Sequence, residues 1–257
     1  MIESASPPLL RPDWPAPAGV LSLTTQCGAD HGVFGEWNFA LHVGDDADRV
    51  LDNRRRLRQQ MDGLPVQWLQ QVHGTRVLRL PAADERLIAD VPRADALYSD
   101  RPGVALAIMT ADCLPVLLCD EHGREIAAVH AGWRGLASGI LNRAVEAFHA
   151  PPCSLLAWLG PAICAQHFEV GPEVREAFVG SAALQAAQGG EDRAFKPSGR
   201  EGHYWCDLYA LARLCLQGCG LERVYGGQHC TYHQPQYFYS YRRQRECGRM
   251  ATVIALQ

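Results

Sequence analysis

Short apolar runs separated by turn residues dominate the middle of the chain and predict a sheet-rich core. Three such runs occupy residues 104–109, 114–118 and 125–129. Each is too short for a buried helix and is rich in aliphatic residues, so each is predicted as a core strand. Directly after the third run, the apolar spacing of residues 136–148 changes to that of a helix.

The same pattern predicts the remaining elements. Further strands are predicted at residues 20–25, 66–72, 76–80, 154–159, 223–225 and 249–256, and further helices at residues 47–61, 171–188 and 206–216. Residues 94–99 are predicted as a connecting segment and residues 189–202 as a polar surface loop. Because several strand pairs lack an intervening helix, the predicted fold class is α/β (mixed α+β), a layered sandwich of mixed sheets flanked by helices. The chain has no internal repeat or linker, so residues 1–18 are predicted as a proline-rich lead-in and residues 19–257 as a single domain.

Composition and charge narrow the class of protein. The 257 residues carry a formal net charge of −4, which gives no reason to expect nucleic acid or an anionic membrane as a partner. The N-terminus lacks the basic-then-apolar pattern of an export signal, and no apolar run reaches membrane-spanning length. Ten cysteines without such a signal are typical of reduced thiols. We therefore expect a cytoplasmic protein without nucleic-acid or membrane partners, present as a monomer or a homodimer.

Three residues at the ends of predicted strands carry candidate metal chemistry. Cys113 follows one strand and precedes another, while His73 and His130 each end a strand close to a glycine. The intervals of 40 and 17 residues between them are too long for a zinc-finger clip but suit ligands from separate strands. Because a catalytic zinc ion takes three nitrogen, sulfur or oxygen ligands and keeps one open position, we hypothesise that the three residues converge on one zinc ion.

Other roles for these residues stay open at this point. A free cysteine is among the most buried residue types, and a histidine that ends an apolar run is commonly a core residue. Alternatively, Cys113 acts as a nucleophile and His130 as its base, as in an amide hydrolase. The neighbouring Asp112 is a candidate to orient a ligand or to carry a proton.

Two segments offer groups for a planar, anionic substrate. The turn at residues 132–135 places a tryptophan and an arginine between two glycines, and residues 237–243 combine aromatic residues with two arginines. Aromatic side chains stack on planar groups and arginines bind phosphate or carboxylate, although an amphipathic edge strand explains the second segment equally well. The candidate substrate contacts from these segments are Trp133, Arg134, Tyr239, Arg242 and Arg243.

Long motifs along nearly the whole chain resemble one family. QVHG at residues 71–74, TADCLPVLL at 110–118 and AAVHAGWRG at 127–135 resemble the YfiH-type proteins, also known as the multicopper polyphenol oxidase (laccase) domain family. HVGDD at 42–46 and FYSYRR at 238–243 extend the match. The resemblance implies one catalytic domain of mixed α/β layers.

The resemblance also implies a chemistry. It implies a zinc site formed by His73, Cys113 and His130, phosphorolysis of adenosine, inosine and methylthioadenosine, and adenosine deamination. Some members are named for copper-dependent phenol oxidation and others for editing peptidoglycan precursors, so copper is an alternative metal for the same site. Asn38 matches a family position and joins the candidate substrate contacts, whereas residues 25–28 depart from the arginine and paired glycines usual there.

The residues favour the purine chemistry over the oxidase. Multicopper oxidation uses several copper sites and many histidines, commonly in H-x-H pairs, and the sequence has no such pair. A zinc site suits deamination, which needs an activated water. The predicted function is therefore a zinc-dependent purine nucleoside phosphorylase with adenosine deaminase activity, a transferase and hydrolase acting on a nucleoside and phosphate. The alternatives are a cysteine- or metal-dependent amide hydrolase that edits peptidoglycan precursors, a copper-dependent polyphenol oxidase, and a binding protein without catalysis.

Overall fold

The computed structural model describes residues 6–28, 32–80, 91–181, 184 and 191–257. Parts of three predicted segments lie outside the described residues: 1–5 of the lead-in, 182, 183 and 185–188 of a helix, and 189 and 190 of a loop.

Fourteen β-strands lie within the described residues. They are β1 (Leu9–Leu10), β2 (Val20–Thr25), β3 (Val66–Gln67), β4 (Val77–Arg79), β5 (Ala96–Ser99), β6 (Ala105–Thr110), β7 (Leu114–Asp120), β8 (Ile126–Ala131), β9 (Leu155–Leu159), β10 (Glu169–Val170), β11 (Phe195–Pro197), β12 (Tyr204–Cys206), β13 (Arg223–Gly226) and β14 (Met250–Leu256).

Six α-helices accompany the strands in the same part of the chain. They are α1 (Ala47–Gln60), α2 (Trp133–Ala137), α3 (Ile140–Glu146), α4 (Pro172–Phe178), α5 (Glu191–Ala194) and α6 (Leu208–Gly218). Helix α1 begins where the Asp46 side chain accepts a hydrogen bond from the backbone amide of Arg49, a standard N-cap. None of the described helices combines the length and apolar character needed to cross a membrane.

The strands form two large mixed sheets and one small sheet. The five-stranded sheet has the order β1-β2-β14-β6-β3, and only its edge pair β3–β6 is parallel. The six-stranded sheet has the order β13-β9-β7-β8-β5-β4, with parallel pairs at both edges and antiparallel pairs between them. The small sheet, β10-β12-β11, is antiparallel.

Alternating side chains give each large sheet two apolar faces. On β6, Ile108 packs into the core between the two large sheets, whereas Ala107 packs on the opposite face with Leu57 of α1. On β7, Leu117 joins the core between the sheets and Val116 packs with helices α2, α3, α4 and α6. The layers are therefore α1, the five-stranded sheet, the six-stranded sheet and the remaining helices, which confirms the predicted sandwich of mixed sheets flanked by helices.

One predicted element was wrong in kind, and one was wrong in continuity. Residues 94–99 contain the strand β5 rather than a connection, and β5 pairs with β8 on one side and β4 on the other. Its four residues are all buried, and so short a run gives too few alternations to reveal a strand. The predicted helix at 136–148 is two helices, because Gly139 has a left-handed φ of 87° that a continuous helix does not tolerate.

Several predicted boundaries were also wrong. Strand β3 ends at Gln67 and helix α4 ends at Phe178, well before the predicted ends at residues 72 and 188. The predicted loop at 189–202 contains α5 and the strand β11, which is stabilised by pairing with β12. The two strands form a short antiparallel hairpin, and the polarity of the residues in it does not indicate that pairing.

Candidate functional site

The crossover between the two large sheets carries the candidate thiol. Three residues between β6 and β7 take the chain from the five-stranded to the six-stranded sheet. Among them, Asp112 has a φ of 87°, in the left-handed region where non-glycine residues are uncommon. The turn leaves Cys113 just before β7, where Pro115 is paired with His130 of β8.

Contacts with the neighbouring strand β6 position the first histidine. The side-chain amide of Gln71 donates to the Met109 carbonyl at 2.8 Å and accepts from the Met109 amide at 2.8 Å, which fastens the segment after β3 to β6. His73 then adopts a left-handed φ of 59°. Its Nε2 lies 3.8 Å from Sγ of Cys113, and its ring centroid lies 4.8 Å from that of His130.

The structure brings the three predicted ligands together, and we call them the first cluster. The ligand atoms of His73, Cys113 and His130 all lie within 4.8 Å of one another. At Gly132, a Cβ atom would lie 3.0 Å from Sγ of Cys113 and 3.1 Å from Cδ2 of His73, so a larger residue would press into the cluster. Two imidazoles and one thiol form a donor set that zinc and copper both accept.

A buried carboxylate that the sequence pattern did not reveal organises the first cluster. Asp95, fully buried, accepts hydrogen bonds from the backbone amides of His73 at 2.8 Å and Gly74 at 2.7 Å. Its Oδ1 also lies 2.9 Å from Nδ1 of His130. Because an ionised carboxylate only accepts, Nδ1 of His130 carries a proton, which leaves Nε2 as the nitrogen that could bind a metal. The sequence does contain a signal for this role, because an aspartate lies inside the apolar run ADALYS. A buried charge is costly unless it is paired, so an aspartate in such a run indicates a partner elsewhere in the fold.

The charges of the first cluster favour a thiolate. Burial raises the pKa of Cys113, but the neighbouring His130 and His73 outweigh burial and lower that pKa to about 6. Burial also lowers the pKa of His130, yet Cys113 and Asp95 outweigh it and raise that pKa to about 9. In the metal-free protein at neutral pH, the favoured state is therefore a thiolate beside an imidazolium, and a cation that binds both displaces the imidazolium proton.

A cavity of about 510 Å³ opens beside the first cluster, a volume typical of small-molecule sites. Of the predicted substrate contacts, Trp133, Arg134 and Arg242 line it. Asp112 lines it as well, and its carboxylate is held at 2.6 Å by the Thr231 hydroxyl and at 2.6 Å by the backbone amide of Arg242. The predicted ligands and half of the predicted substrate contacts thus share one cavity.

Three predicted substrate contacts lie outside the lining of this cavity. Asn38 is fully buried and donates to the Asp45 carboxylate at 2.9 Å. Tyr239 is buried and donates to the Phe34 carbonyl at 2.6 Å. Arg243 donates to three backbone carbonyls. These polar groups hold the loops around the cavity, and their role as substrate contacts stays a prediction.

Three further lining residues, His42, Tyr241 and Arg249, were missed. The guanidinium of Arg249 lies 5.7 Å from the ring centroid of Tyr241. Partial desolvation, followed by the positive charges of Arg249 and Arg54, lowers the pKa of His42 and keeps it neutral at pH 7. In the sequence these residues lie in or near the motifs matched to the family. A motif does not indicate which way each of its side chains faces.

Known proteins resemble this chain along nearly its whole length. The family model described as multi-copper polyphenol oxidoreductase laccase matches residues 20–257. A Pseudomonas aeruginosa protein named purine nucleoside phosphorylase is 46% identical over 250 residues, covering 96% of this chain and 98% of the relative. The Escherichia coli K12 protein named purine nucleoside phosphorylase YfiH is 46% identical over 255 residues, also covering 96% of this chain and 98% of the relative.

Solved structures share the fold. The crystal structure of a Neisseria meningitidis protein is 45% identical, covers 97% of this chain and 99% of its own, and superposes with a TM-score of 0.89. The crystal structure of YlmD from Geobacillus stearothermophilus is 30% identical, covers 99% of this chain and 98% of its own, and gives a TM-score of 0.88. With such coverage, the layered sandwich described above is the fold of these structures as well.

Proposed function

The chain belongs to the multi-copper polyphenol oxidoreductase laccase family, the family of the YfiH proteins that its motifs resemble, and we propose that it acts as a zinc-dependent purine nucleoside phosphorylase. The names of its relatives supply the substrate class, a purine nucleoside together with phosphate. We include adenosine deamination in the proposal, because the same cavity would bind the purine ring.

The observation that carries this proposal is the first cluster at the cavity. The ligand atoms of His73, Cys113 and His130 lie within 4.8 Å of one another, and all three residues line the 510 Å³ cavity. Three nitrogen and sulfur ligands with one side open to a substrate cavity are typical of catalytic zinc. A zinc ion held there supplies Lewis-acid chemistry, because it stabilises negative charge on an oxygen that it contacts.

Phosphorolysis exchanges one bond at the sugar. The bond from ribose C1′ to the purine nitrogen breaks, a bond from C1′ to a phosphate oxygen forms, and the base leaves with the electron pair. Arg134, Arg242 and Arg249 line the cavity and suit the charge of the phosphate. Nη1 of Arg242 donates to the Glu169 carbonyl at 3.0 Å, which holds that guanidinium at the cavity. We assign phosphate binding to these arginines.

Aromatic side chains suit the planar base. Trp133, Phe168 and Tyr241 line the same cavity. The guanidinium of Arg134 lies 4.3 Å from a ring centroid of Trp133 and covers one indole face. Stacking on the aromatic walls orients the purine, and excludes water from its faces while the bond to the sugar breaks.

Deamination requires a proton carrier. A water oxygen bonds to the ring carbon, the carbon–nitrogen bond breaks, and ammonia leaves after it has received a proton from the water. Asp112 is the proposed carrier, because its carboxylate lines the cavity in an orientation fixed by Thr231 and by the Arg242 amide. Each of its oxygens keeps a second acceptor position for that proton.

Product analysis tests the proposal. Purified protein of known zinc content is incubated with adenosine, with and without phosphate. We expect adenine and ribose 1-phosphate only when phosphate is present, and inosine in both mixtures. Cys113→Ala is expected to lose the zinc ion of the first cluster and both activities, whereas Cys153→Ala, which changes an exposed free thiol, keeps both. Zinc-loaded protein that forms none of these products contradicts the proposal.

One observation favours a second candidate, an amide hydrolase acting on peptidoglycan precursors. Asp95, His130 and Cys113 stand in the order of orienting acid, base and nucleophile, and the neighbouring histidines overcome the effect of burial to lower the pKa of Cys113 to about 6. Amide hydrolysis that persists after chelation and stops on alkylation of Cys113 supports this candidate. Nucleoside cleavage that stops on chelation and returns only with zinc supports the phosphorylase.

Copper in the first cluster is the remaining alternative. Copper accepts the same donors, so the metal itself does not separate the functions. A single three-ligand site does not hold the several copper ions that reduce dioxygen to water. We therefore expect copper-loaded protein to consume little oxygen with a phenol, and rapid, stoichiometric oxygen consumption would revive the oxidase.

A further inference from the structure

A second group of thiols and an imidazole lies at Cys164, His167 and Cys230, and we call it the second cluster. The three ligand atoms all lie within 4.8 Å of one another. Nδ1 of His167 lies 3.2 Å from Sγ of Cys164 and 3.7 Å from Sγ of Cys230. The described lining of the cavity at the first cluster includes none of the three.

Backbone pairing assembles the second cluster from two segments. Ala162 and Cys230 form an isolated parallel bridge, in which the Thr231 amide donates to the Ala162 carbonyl at 3.0 Å. The backbone amide of Cys164 points at Sγ of Cys230, 3.4 Å away. His167 belongs to the short 3₁₀ helix that follows Cys164. Backbone contacts therefore fix the positions of Cys164 and Cys230 relative to each other.

Ring stacking fixes the orientation of the imidazole. The ring of His167 lies 4.5 Å from that of Tyr232 at an interplanar angle of 21°, and 5.7 Å from that of His233 at 27°. These stacked rings restrict the rotation of the imidazole, whose Nδ1 lies within 3.7 Å of both sulfur atoms. A ligand side chain whose rotamer is held by packing is better suited to bind a metal than a freely rotating one.

Another close pair of cysteines shows what a packing role looks like. Cys215 and Cys219 lie one helical turn apart at the end of α6, and burial raises the pKa of both thiols. No third ligand joins them among the described residues, where the second cluster is the only such group outside the first. A histidine nitrogen aimed between two thiols is therefore a feature that packing does not explain.

We propose that the second cluster is a zinc site with Cys164, His167 and Cys230 as its protein ligands. Two thiolates and one neutral imidazole balance the charge of a divalent cation and match the ligand preference of zinc. Two zinc–sulfur bonds and one zinc–nitrogen bond form, and the two thiol protons pass to solvent. Burial, with Cys230 as the next cause, raises the pKa of Cys164 to about 11, so the metal has to displace that proton.

The second cluster has a structural consequence for the cavity. Its two segments also supply Ile163 and Phe168 to the cavity lining, and Thr231 to the Asp112 carboxylate. A zinc ion bound at the second cluster would link these segments and stiffen one wall of the cavity. The proposal stands independently of the reaction assigned to the first cluster.

Zinc stoichiometry in the reduced, full-length protein tests the proposal. We expect two equivalents in the wild type and one in Cys164→Ala/Cys230→Ala. In a Cys113→Ala background one equivalent remains, and it disappears when Cys164→Ala is added. The matched control Cys215→Ala/Cys219→Ala removes a cysteine pair without a histidine and keeps two equivalents. Cobalt in the Cys113→Ala protein is expected to show thiolate charge-transfer absorption that weakens in His167→Ala.

A measurement on the wild-type chain keeps the test independent of variant folding. The reduced metal-free protein is alkylated with and without zinc, and the modified peptides are identified by mass. We expect zinc to protect Cys164 and Cys230 together, while Cys153 reacts equally in both samples. Saturation at one equivalent, a second equivalent that survives loss of both cysteines, or a Cys164–Cys230 disulfide that persists under reduction would each overturn the proposal.

Discussion

The first and second clusters are built from the same ligand types but differ in their surroundings. Each combines thiol and imidazole groups within 4.8 Å. In the first, the buried carboxylate of Asp95 anchors a histidine and two backbone amides, and the cluster faces a cavity. In the second, the imidazole stacks with the rings of Tyr232 and His233 and lies close to two thiols.

This difference shows that ionisation follows from the neighbours and not from the ligand type. Two histidines, one of them tied to a carboxylate, outweigh burial and lower the pKa of Cys113 to about 6. At Cys164, burial and a second thiol raise the pKa to about 11. The first cluster is therefore ready to bind a cation at an open cavity, and the second has to lose protons before it binds one.

The largest effect is expected from removing the thiolate of the first cluster. Cys113→Ala deletes one of three ligands, so kcat/KM for nucleoside cleavage should fall by more than about 10³-fold, since several kcal/mol of charge stabilisation are lost. Cys164→Ala/Cys230→Ala is expected to keep most of its activity. Steady-state kinetics on both variants measure this, and a larger loss in the second variant would reverse the roles of the two clusters.

The next effect concerns the carboxylate that distinguishes the first cluster. Asp95→Asn is expected to weaken zinc binding at the first cluster by roughly 10–100-fold, because the amide does not stabilise the proton on Nδ1 of His130 as a carboxylate does. Competition with a chelator of known affinity measures the change.

A matched control for that variant is Asp120→Asn. Asp120 is 3% exposed and accepts hydrogen bonds from the backbone amides of Arg124 and Glu125, so its loss also disturbs a buried carboxylate. It should lower stability without altering zinc affinity. Equal losses of affinity in the two variants would mean that Asp95 supports only the fold.

Alkylation of the metal-free protein separates the two clusters by pH. A thiol reacts as its thiolate. Cys113, with a pKa of about 6, is mostly thiolate at pH 7, and its alkylation rate falls below pH 6. Cys164, with a pKa of about 11, stays protonated over this range. A more acidic thiol is a weaker nucleophile as its thiolate. With this effect included, Cys113 should react about fiftyfold faster than Cys164 at pH 7.

Peptide mass analysis after timed exposure to iodoacetamide measures the two rates. The control is His130→Ala, in which the inflection for Cys113 should move to higher pH because a positive neighbour is lost. Similar rates for Cys113 and Cys164 at pH 7 would remove the electrostatic distinction between the clusters.

The smallest effect is steric. In Gly132→Ala, the added Cβ meets Sγ of Cys113 at 3.0 Å and the His73 ring at 3.1 Å, so the ligands have to shift by a few tenths of an ångström. An overpacking cost of about 1–2 kcal/mol should weaken zinc binding roughly tenfold. Gly19→Ala, whose Cβ meets nothing within 4 Å, is the control and should bind zinc normally. A tighter site in Gly132→Ala would show that the space is not used by a metal.

Much of the fold and the first cluster could be predicted because the signals are local. The central strands alternate or run apolar over enough residues to be recognised, and Cys113 and His130 lie beside their ends. Convergence with His73 followed from the family motifs more than from spacing. The sandwich was predicted correctly for the same reason: paired strand signals without intervening helices leave few other layer arrangements.

The rest depends on contacts between distant segments. β5 is too short to be recognised alone, so Asp95 beside it was not linked to His130. The second cluster joins Cys164 to Cys230 beside an isolated bridge between Ala162 and Cys230, which forms only when these distant segments pack together. Side-chain direction was equally hidden: Arg242 lines the cavity, whereas the adjacent Arg243 turns to backbone carbonyls.

The proposed function depends on one metal ion held at the cavity by His73, Cys113 and His130. Anomalous diffraction at the zinc absorption edge, on crystals of the zinc-loaded Cys164→Ala/Cys230→Ala protein, tests it most directly. We expect one strong peak about 2.3 Å from Sγ of Cys113 and about 2.0–2.1 Å from a nitrogen of each histidine. A fully loaded, active protein whose zinc peak lies elsewhere, with these three side chains unligated, would contradict it.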